Sequence, residues 1–460
     1  MKPSTRPEAR RFDAIIVGRR VAGCAMAIHL TRAGFSVAVV ERDVVPSDTL
    51  STHLIQDVSL FAELGVLREV MACGAPPLRE IALHIDGVDL STSNPDRPWL
   101  CLRRISLDAV LSAAVNRTGA LVFEQTAVVD LLRSGDRVSG VVVQAPDGTR
   151  RELHASLVIG ADGRNSTVGR LVGARKYDIT HNERTAYWGY YAGVPMANSF
   201  HFSRRGRDLM LVAPCDQGMT LVAGQPPLDD ERDWRDPAVL ESVATELVAP
   251  LRGVLSRATL VGEVRAVRRM DGFFRDAAGP GWALVGDAGH FKDIVVGQGI
   301  CDALRQASAL SKRLVPLLRA EPSVVDAALQ GWWRERDADA RPMYWMAQDL
   351  GRVETDVLDQ EVLRLIAGSA RHRRRLQQVL AHHRPATDVN GMKVQISAMA
   401  RALLRPSVSV AELRRAVGGG VERQRERLSP QRRAAALPAV RVVGNISGIP
   451  AQQGSPQWSG

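Results

Sequence analysis

The stretch "FDAIIVGRRVAGCAMAIHLTRAGFSVAVVERD", residues 12–43, decides the fold. It begins with a short apolar run that is typical of a buried strand and continues with apolar residues at helical spacing. A second apolar run follows and ends in acidic residues. A strand, a helix and a strand within about thirty residues predict the βαβ unit of a parallel nucleotide-binding sheet. The sequence therefore predicts an α/β fold.

The turn of this unit departs from the pattern G-x-G-x-x-G. Arg20 replaces the middle glycine, whereas Gly18 and Gly23 keep their places. Gly18 allows the tight turn, Gly23 allows the helix to pack against the strand, and Glu41 ends the second strand where an acid binds a ribose. An arginine is compatible with the site because a guanidinium pairs with phosphates. On this motif alone, two accidental glycines in an ordinary βαβ unit remain an equal alternative.

Two later stretches repeat the order of strand and carboxylate. Residues 157–173, "LVIGADGRNSTVGRLVG", place Asp162 and Gly163 directly after an apolar strand. Residues 282–304, "WALVGDAGHFKDIVVGQGICDAL", place Asp287 after a strand and then a Gly-Gln-Gly helix start. Open α/β sheets bind ligands at the carboxyl ends of their strands, so we expect these stretches to contribute to one site.

Composition and charge narrow the class of protein. A hydrophobic content of 45% and a charged content of 24% fit a globular protein. No apolar run approaches the ~20 residues of a membrane span, and the N-terminal residues lack the apolar core of a signal peptide, so we expect a cytoplasmic protein. The five cysteines show no metal-ligand spacing, so we expect no metal site. The net charge of +10 comes without aromatic interleaving, which argues against nucleic acid, and the run 370–384 is interpreted as a helix with a solvated charged face.

Taken in order, these stretches resemble the three fingerprints of the class A FAD-dependent monooxygenases, the para-hydroxybenzoate hydroxylase-like family. "CLRRISLD" (101–108) is similar to the R-x-x-L element of that family. The arginine in the first turn, "SDTLSTH" (47–53) and "GDAGHFKD" (286–293) resemble a bacterial branch of FAD-dependent oxidoreductases, many of which work in secondary metabolism. The resemblance covers residues 12–345. It implies a discontinuous Rossmann-like FAD-binding domain of the glutathione reductase type, a mostly β substrate domain and a helical C-terminal part.

The expected domains alternate along the chain. They are FAD-binding segments at 1–78, 99–179 and 271–345, substrate-sheet strands at 79–98, a substrate-binding β-sheet domain at 180–270, a C-terminal helical region at 346–417 and a disordered tail at 418–460.

The resemblance also implies a set of cofactor-binding residues. Glu41 is expected on the adenosine ribose, Asp287 on the ribityl or phosphate side, and residues 295–299 along the isoalloxazine. Asp162 belongs to a motif that contacts both FAD and NAD(P)H. The complete set is Gly18, Arg20, Gly23, Glu41, Arg42, Arg104, Asp162, Gly163, Gly286, Asp287, Val296, Gly297, Gln298 and Gly299.

The function implied by the resemblance is hydroxylation of a small aromatic or polyketide-like metabolite by O₂, through a flavin C4a-hydroperoxide. NADH or NADPH would serve as a transient reductant. Two departures leave a second enzyme open: Ile294 and Cys301 stand where the family often has proline and asparagine. That alternative is a geranylgeranyl reductase-like enzyme that acts on C–C bonds without oxygenation. Arg20 leaves a third reading open, a non-catalytic binding protein on the same fold. The oligomeric state is open.

Aromatic residues in the second sheet are candidates for a substrate pocket. Trp188, Tyr190, Phe202 and Met210 are the residues expected to line it. Because side chains alternate along a strand, only one face of each strand can do so.

Two histidines and one aromatic helix call for separate interpretations. His53 lies where the family places residues near the flavin edge, so it is a candidate to touch flavin or substrate; alternatively it begins a helix after a Ser51/Thr52 cap. His290 is interpreted as a buried histidine that is bonded to the backbone. Residues 330–346 carry aromatics at helical spacing, which predicts a helix packed against the FAD domain.

Overall fold

The computed structural model describes residues 11–428 except residues 48, 50, 52 and 95. Three positions of the "SDTLSTH" stretch and the final segment 429–460 therefore lie outside the described residues.

All strands of the described chain lie before residue 292, and from residue 299 onward its regular elements are helices. The strands are β1 (Arg11–Val17), β2 (Val37–Val40), β3 (Leu54–Ile55), β4 (Glu80–Ile85), β5 (Val88–Asp89), β6 (Thr92–Ser93), β7 (Leu100–Cys101), β8 (Leu121–Phe123), β9 (Ala127–Ser134), β10 (Arg137–Gln144), β11 (Arg150–Gly160), β12 (Lys176–Thr180), β13 (Ala186–Ala192), β14 (Ser199–Arg205), β15 (Asp208–Pro214), β16 (Met219–Gly224), β17 (Thr259–Val267), β18 (Gly272–Arg275), β19 (Ala278–Gly279), β20 (Trp282–Leu284) and β21 (His290–Phe291). The helices are α1 (Val21–Arg32), α2 (Leu60–Glu63), α3 (Leu67–Ala72), α4 (Arg104–Asn116), α5 (Thr167–Leu171), α6 (Pro237–Leu247), α7 (Gly299–Leu314), α8 (Pro322–Gly351), α9 (Val357–Ala367), α10 (Ala370–Leu380), α11 (Thr387–Asn390), α12 (Met392–Leu403) and α13 (Val410–Leu428).

The first large sheet contains the predicted βαβ unit. Strands β20, β11, β1, β2 and β8 lie side by side and pair in parallel. Strand β1 is central, and its apolar residues Ala14, Ile15 and Ile16 are completely buried, as expected for a strand with both faces covered. Helices α1, α4 and α7 belong to the same hydrophobic core. The predicted α/β fold class is confirmed.

The second large sheet is mainly antiparallel and has the order β17-β13-β16-β15-β14-β4-β5, with β6 paired to β4. Strands β4 to β6 come from residues 80–93 and join it by a parallel pairing of β4 with β14. The hairpin between β4 and β5 turns at Asp86 and Gly87, which both have positive φ, as the Asp-Gly turn predicts.

The two faces of this sheet are covered by different parts of the chain. Helix α6 covers one face, where Tyr191, Met210 and Trp234 form one apolar cluster. Helices α8 to α11 contribute to the other cluster, together with Trp188 and Phe202. The alternation expected along each strand therefore assigns neighbouring side chains to separate cores.

The C-terminal part is helical, and its long helix joins the two sheets. In α8, Trp332 is buried in the core of the parallel sheet, as the aromatic spacing predicts. The boundary of the tail is corrected: α13 continues through the three glycines at 418–420 and ends at Leu428. Ion pairs from Arg423 to Asp356 and from Arg427 to Asp349 hold α13 to the preceding helices, and these long-range contacts are not visible in the local composition. Over the residues that the structure describes, none of the helices has the length and apolarity to cross a bilayer.

Candidate functional site

The three predicted motifs meet in one groove at the carboxyl ends of β1, β2, β11 and β20. The groove has a volume of about 740 Å³, within the usual range of ligand sites. Twelve of the fourteen predicted cofactor residues line it: Gly18, Arg20, Glu41, Arg42, Arg104, Asp162, Gly163, Gly286, Asp287, Gly297, Gln298 and Gly299.

The other two predicted residues lie beside the groove. Gly23 is buried in α1, and a Cβ there would lie 1.9 Å from the carbonyl oxygen of Gly18. This close approach explains why a glycine is required, because it lets the helix begin against the turn. Val296 precedes the Gly-Gln-Gly turn, but its side chain lines a separate apolar cavity.

Arg20 is held by a buried carboxylate that sequence reasoning missed. Its Nη1 lies 2.7 Å from Oδ2 of Asp108, and its Nη2 donates to the Ser47 hydroxyl at 2.8 Å. Arg104 Nη2 donates to Oδ1 of the same aspartate at 3.0 Å. Asp108 is completely buried and therefore fixes both guanidinium groups at the groove wall. The signal was available, because Asp108 follows Arg104 by four residues on one helix face.

Two of the predicted carboxylates organise the backbone around the groove. Glu41 accepts the backbone N–H of Arg19 at 2.7 Å and that of Asp43 at 2.9 Å. Asp162 accepts the N–H of Thr167 at 2.6 Å, so it binds the first turn of α5. Burial raises the pKa of Asp162. A carboxylate has about four acceptor positions, so each group retains capacity for a ligand hydroxyl.

Two further aspartates beside the Gly-Gln-Gly turn have pKa values shifted in opposite directions. Burial raises the pKa of Asp287 to about 6, although Arg104 opposes the shift. At Asp302, burial is the largest single effect and raises the pKa, but the Lys292 ammonium together with His382 and His290 outweighs it, so the pKa is lowered to about 2. Lys292 Nζ lies 2.7 Å from Asp302 Oδ2 and 2.5 Å from Gln298 Oε1. Sequence reasoning missed Lys292 and Asp302 because no motif spacing connects them.

His53 lies between the groove and the apolar cavity. It is completely buried and directly precedes β3, so the alternative of a helix start is wrong; Thr52, part of the suggested cap, is outside the described residues. Its Nε2 is 2.6 Å from the Tyr190 hydroxyl, and burial lowers its pKa to about 3. His53 is therefore neutral at physiological pH. Its neighbours Ser51 and Leu54 line the groove and the cavity, respectively.

His290 lines the groove in a different way from that expected. Its ring lies 4.5 Å from the Phe274 ring, centroid to centroid, and burial lowers its pKa. Within the described part of the chain its Nε2 has no hydrogen-bond partner, so the expected backbone bond is not formed at that nitrogen. Packing among aromatic rings holds this histidine.

The apolar cavity has a volume of about 440 Å³ and lies between the second sheet and the C-terminal helices. Phe202, one of the residues expected to line a substrate pocket, lines this cavity together with Trp99, Val295 and Val296. Trp188 and Tyr190 belong to the same apolar cluster but pack behind the lining. The prediction for Met210 is wrong. Its side chain points to the opposite face of the sheet, where it packs with α6.

The groove fits an FAD molecule by three observations. At Gly163 and Gly299 an added Cβ would meet no atom within 4 Å, so the backbone at both turns faces open space. The N-terminus of α7 therefore presents free N–H groups to the groove, as anion sites at helix ends do. Arginines that can bind phosphates and carboxylates that can bind ribose hydroxyls line the same groove.

Residues 11–336 match the family model described as "FAD binding domain". The chain belongs to this family, and it is an FAD-dependent oxidoreductase. Among solved structures, the flavin-dependent brominase Bmp2 has a TM-score of 0.67 at 15% identity, covering 90% of this chain and 100% of that chain. PqsL from Pseudomonas aeruginosa has a TM-score of 0.61 at 20% identity, covering 80% and 99%.

The proteins whose sequences are similar to this chain are named for several different activities. Digeranylgeranylglycerophospholipid reductase 2 of Methanothermobacter thermautotrophicus is 32% identical over 164 residues, 35% of this chain. The match spans 42% of that relative, less than half of its length. The 1H-pyrrole-2-carbonyl-[peptidyl-carrier protein] brominase of Pseudoalteromonas luteoviolacea is 22% identical over 65% of this chain and 76% of the relative.

Proposed function

We propose that the protein is an NAD(P)H-consuming flavin monooxygenase that hydroxylates a small aromatic or polyketide-like metabolite bound in the apolar cavity. One observation carries this proposal: a single loop separates the cavity from the groove. Val295 and Val296 line the cavity, whereas Gly297 to Gly299 line the groove. A substrate in the cavity and a dinucleotide in the groove would therefore meet across a few residues of backbone.

Different groove residues are assigned to different groups of the dinucleotide. We assign the pyrophosphate to the turn at Gly18 and to Arg20, whose guanidinium is already positioned by Asp108. Glu41 is assigned to the adenosine ribose and Asp287 to the ribityl side. These assignments follow from position, because phosphates need cations and N–H donors whereas ribose hydroxyls need acceptors.

The ring end of the groove is built to stabilise negative charge. Bound FAD would supply the redox chemistry, namely the acceptance of a hydride and the reaction with O₂. The N–H groups that begin α7 and the Lys292 ammonium beside Gln298 lie at this end of the groove. Donors that are fixed before the reaction stabilise developing charge without reorganisation. Lys292 is 6% exposed and its charge is paired with Asp302, so the N–H groups of α7 are the uncompensated donors at this end.

Residues at the cavity orient the substrate. The cavity is mostly aliphatic and aromatic, and its volume suits a substrate of drug-like size. The Tyr190 hydroxyl and neutral His53 form a buried polar pair behind this lining, next to Leu54 of the cavity wall. We assign them a positioning role, because a neutral imidazole can share the tyrosine proton without burying a charge.

A second enzyme activity is supported by one departure and one relative. Ile294 occupies the position where the class A monooxygenases often have proline. The Methanothermobacter thermautotrophicus relative, 32% identical over its matched part, is named as a reductase. On this alternative the same cavity would hold an isoprenoid-like chain, and a C–C bond would change without gain of oxygen.

The deciding experiment begins with an absorbance spectrum of the purified chain loaded with FAD. NADH or NADPH oxidation is then followed with candidate aromatic and isoprenoid substrates under ¹⁸O₂, with and without bromide. Oxygen-18 in the product supports the proposed function. A product that differs only in hydrogen supports the reductase, and bromide-dependent product supports halogenation. Failure to retain flavin would contradict the FAD site as well as every activity assigned to it.

A further inference from the structure

Helix α10 presents a concentrated basic surface that the proposed redox site does not use. Its sequence is "ARHRRRLQQVL", and its arginines line two adjoining surface cavities of about 700 and 610 Å³. The two cavities share Ser93, Arg374, Gln378 and Arg384. We call the combined surface the arginine groove and define it by Arg371, Arg373, Arg374, Arg375 and Arg384.

Most of these arginines lack acidic partners. Arg384 pairs with Asp388 at 2.8 Å. Arg371, Arg374 and Arg375 form no ion pair or side-chain hydrogen bond within the part of the chain that the structure describes. Arg373 donates only to the carbonyl oxygens of Ser91 and Ala367, at 3.0 and 2.6 Å. Arg103, elsewhere in the fold, does have an acidic partner, because it pairs with the buried carboxylate of Asp216. The arginine groove therefore holds several uncompensated positive charges.

This arrangement is unfavourable for the isolated helix. Like charges three and four residues apart, such as Arg371 with Arg374 and Arg375, repel each other. The charges also lie in the first half of α10, where the helix dipole disfavours cations. The lining includes the carboxylates Glu80 and Asp96, but neither forms an ion pair with these arginines in the described chain. An external anionic surface would relieve both unfavourable terms.

The position of α10 connects the arginine groove with the apolar cavity. Leu376 and Leu380 of the same helix line that cavity. The carbonyl oxygen of Leu380 also accepts a hydrogen bond from Gln298 at 2.6 Å, so the helix contacts the Gly-Gln-Gly turn. A partner bound at the arginine groove would lie about one helix diameter, ~10 Å, from the cavity wall.

The chemistry of the surface selects among occupants. The chain's own segment 429–460 contains no Asp or Glu, and a second copy has a net charge of +10, so both are repelled. No aromatic side chain lines the arginine groove in the described chain, which disfavours stacking of single-stranded nucleic acid. The apolar residues Leu376 and Val379 of α10 are buried, so none remains to insert into a bilayer.

We infer that the arginine groove docks an acidic carrier protein that presents a covalently tethered substrate to the apolar cavity. This inference rests on the proposed function, because it identifies how the substrate reaches the same cavity. The carrier would bind by charge complementarity, and a flexible arm would pass around α10. Such binding accelerates association and weakens as salt increases.

The test uses the full-length, FAD-loaded protein and a fluorescently labelled acidic acyl carrier protein in its phosphopantetheinylated form. Binding is measured by anisotropy at low and high salt. The variant is Arg371→Glu/Arg374→Glu. The matched control, Arg150→Glu/Arg151→Glu, makes the same change in net charge on exposed β11 positions outside the arginine groove. We expect the groove variant to weaken binding by at least about tenfold, and the control to change it by less than about twofold.

Other results would overturn the inference. These are wild-type binding that does not depend on salt, equal weakening by both variants, or stronger groove-dependent binding to phosphatidylglycerol vesicles or an oligonucleotide than to the carrier. Flavin absorbance and NADPH oxidation are recorded on the same samples. Groove-dependent carrier binding without oxygenation would contradict the proposed function but not the docking inference. Oxygenation of a free substrate without carrier binding would contradict the docking inference but not the proposed function.

Discussion

The carboxyl of Asp287, half-buried in the groove wall, provides the sharpest quantitative prediction. Its pKa rises from 3.8 to about 6 in the folded protein, chiefly because of burial. At 1.36 kcal/mol per pKa unit, ionisation of Asp287 then costs the folded state about 3 kcal/mol. Between pH 3.8 and 6 the folded state holds a proton on Asp287 that the unfolded state has released. The protonated carboxyl therefore favours the fold at low pH, and this contribution to stability is lost as pH rises through 6. The Asp287→Asn variant should therefore exceed the parent in stability by about 3 kcal/mol at pH 7 and by well under 1 kcal/mol near pH 4.

Asp302 supplies a counterpart of opposite sign at the same turn. Burial raises its pKa, but the Lys292 ammonium together with His382 and His290 outweighs burial and lowers the pKa from 3.8 to about 2. This carboxylate stabilises the fold above pH 3.8, and the contribution is lost as pH falls through 2. Asp302→Asn should therefore lower stability at pH 7, by about 2 kcal/mol, and leave Lys292 buried without its carboxylate.

The assay is denaturant unfolding of the FAD-free protein at several pH values between 4 and 8, followed by circular dichroism and fluorescence. The two probes must coincide before free energies are compared. The reasoning is refuted if both asparagine variants shift stability in the same direction at pH 7, or if the effect of Asp287→Asn does not depend on pH.

Three further predictions concern packing and the substrate side. Gly23→Ala should abolish FAD retention, because a Cβ would lie 1.9 Å from a backbone oxygen; retained flavin absorbance would contradict this. Phe202→Ala should raise the substrate KM, because Phe202 lines the cavity. Met210→Ala, on the opposite face of the sheet, should lower the free energy of unfolding by about 2–5 kcal/mol and leave KM unchanged. The reverse pattern would contradict the assignment of the cavity as the substrate site. Tyr190→Phe should leave the measured pKa of His53 nearly unchanged, because burial is the largest cause of its shift. The same variant should lower kcat more than it changes FAD affinity.

Much of the parallel sheet could be read from local patterns. The strand, turn and helix of residues 12–43 specify their own geometry, because Gly18 and Gly23 stand where the backbone makes its closest approach. The carboxylates that follow the other strands were found for the same reason, since a residue at a strand end has a defined place in a parallel sheet. Twelve of the fourteen predicted residues consequently line one groove.

The partners of these residues could not be read in the same way. Lys292 and Asp302 lie ten positions apart, on either side of the Gly-Gln-Gly turn, and meet only in the folded chain. Met210 and Phe202 are both apolar strand residues, and nothing in their composition shows which face of the sheet each one takes. The pairing register decides this, because a shift of one residue exchanges the faces.

The sequence by itself determined the nucleotide-binding architecture and the residues at its strand ends, because short-range periodicity and glycine positions govern local backbone geometry. The tertiary structure alone decided which side chains share a buried environment. It placed Asp108 between two arginines, His53 against Tyr190, and the arginine-rich helix with one side on an apolar cavity. Burial and charge at these sites depend on residues distant in the chain, so only the folded molecule defines their pKa values and contacts.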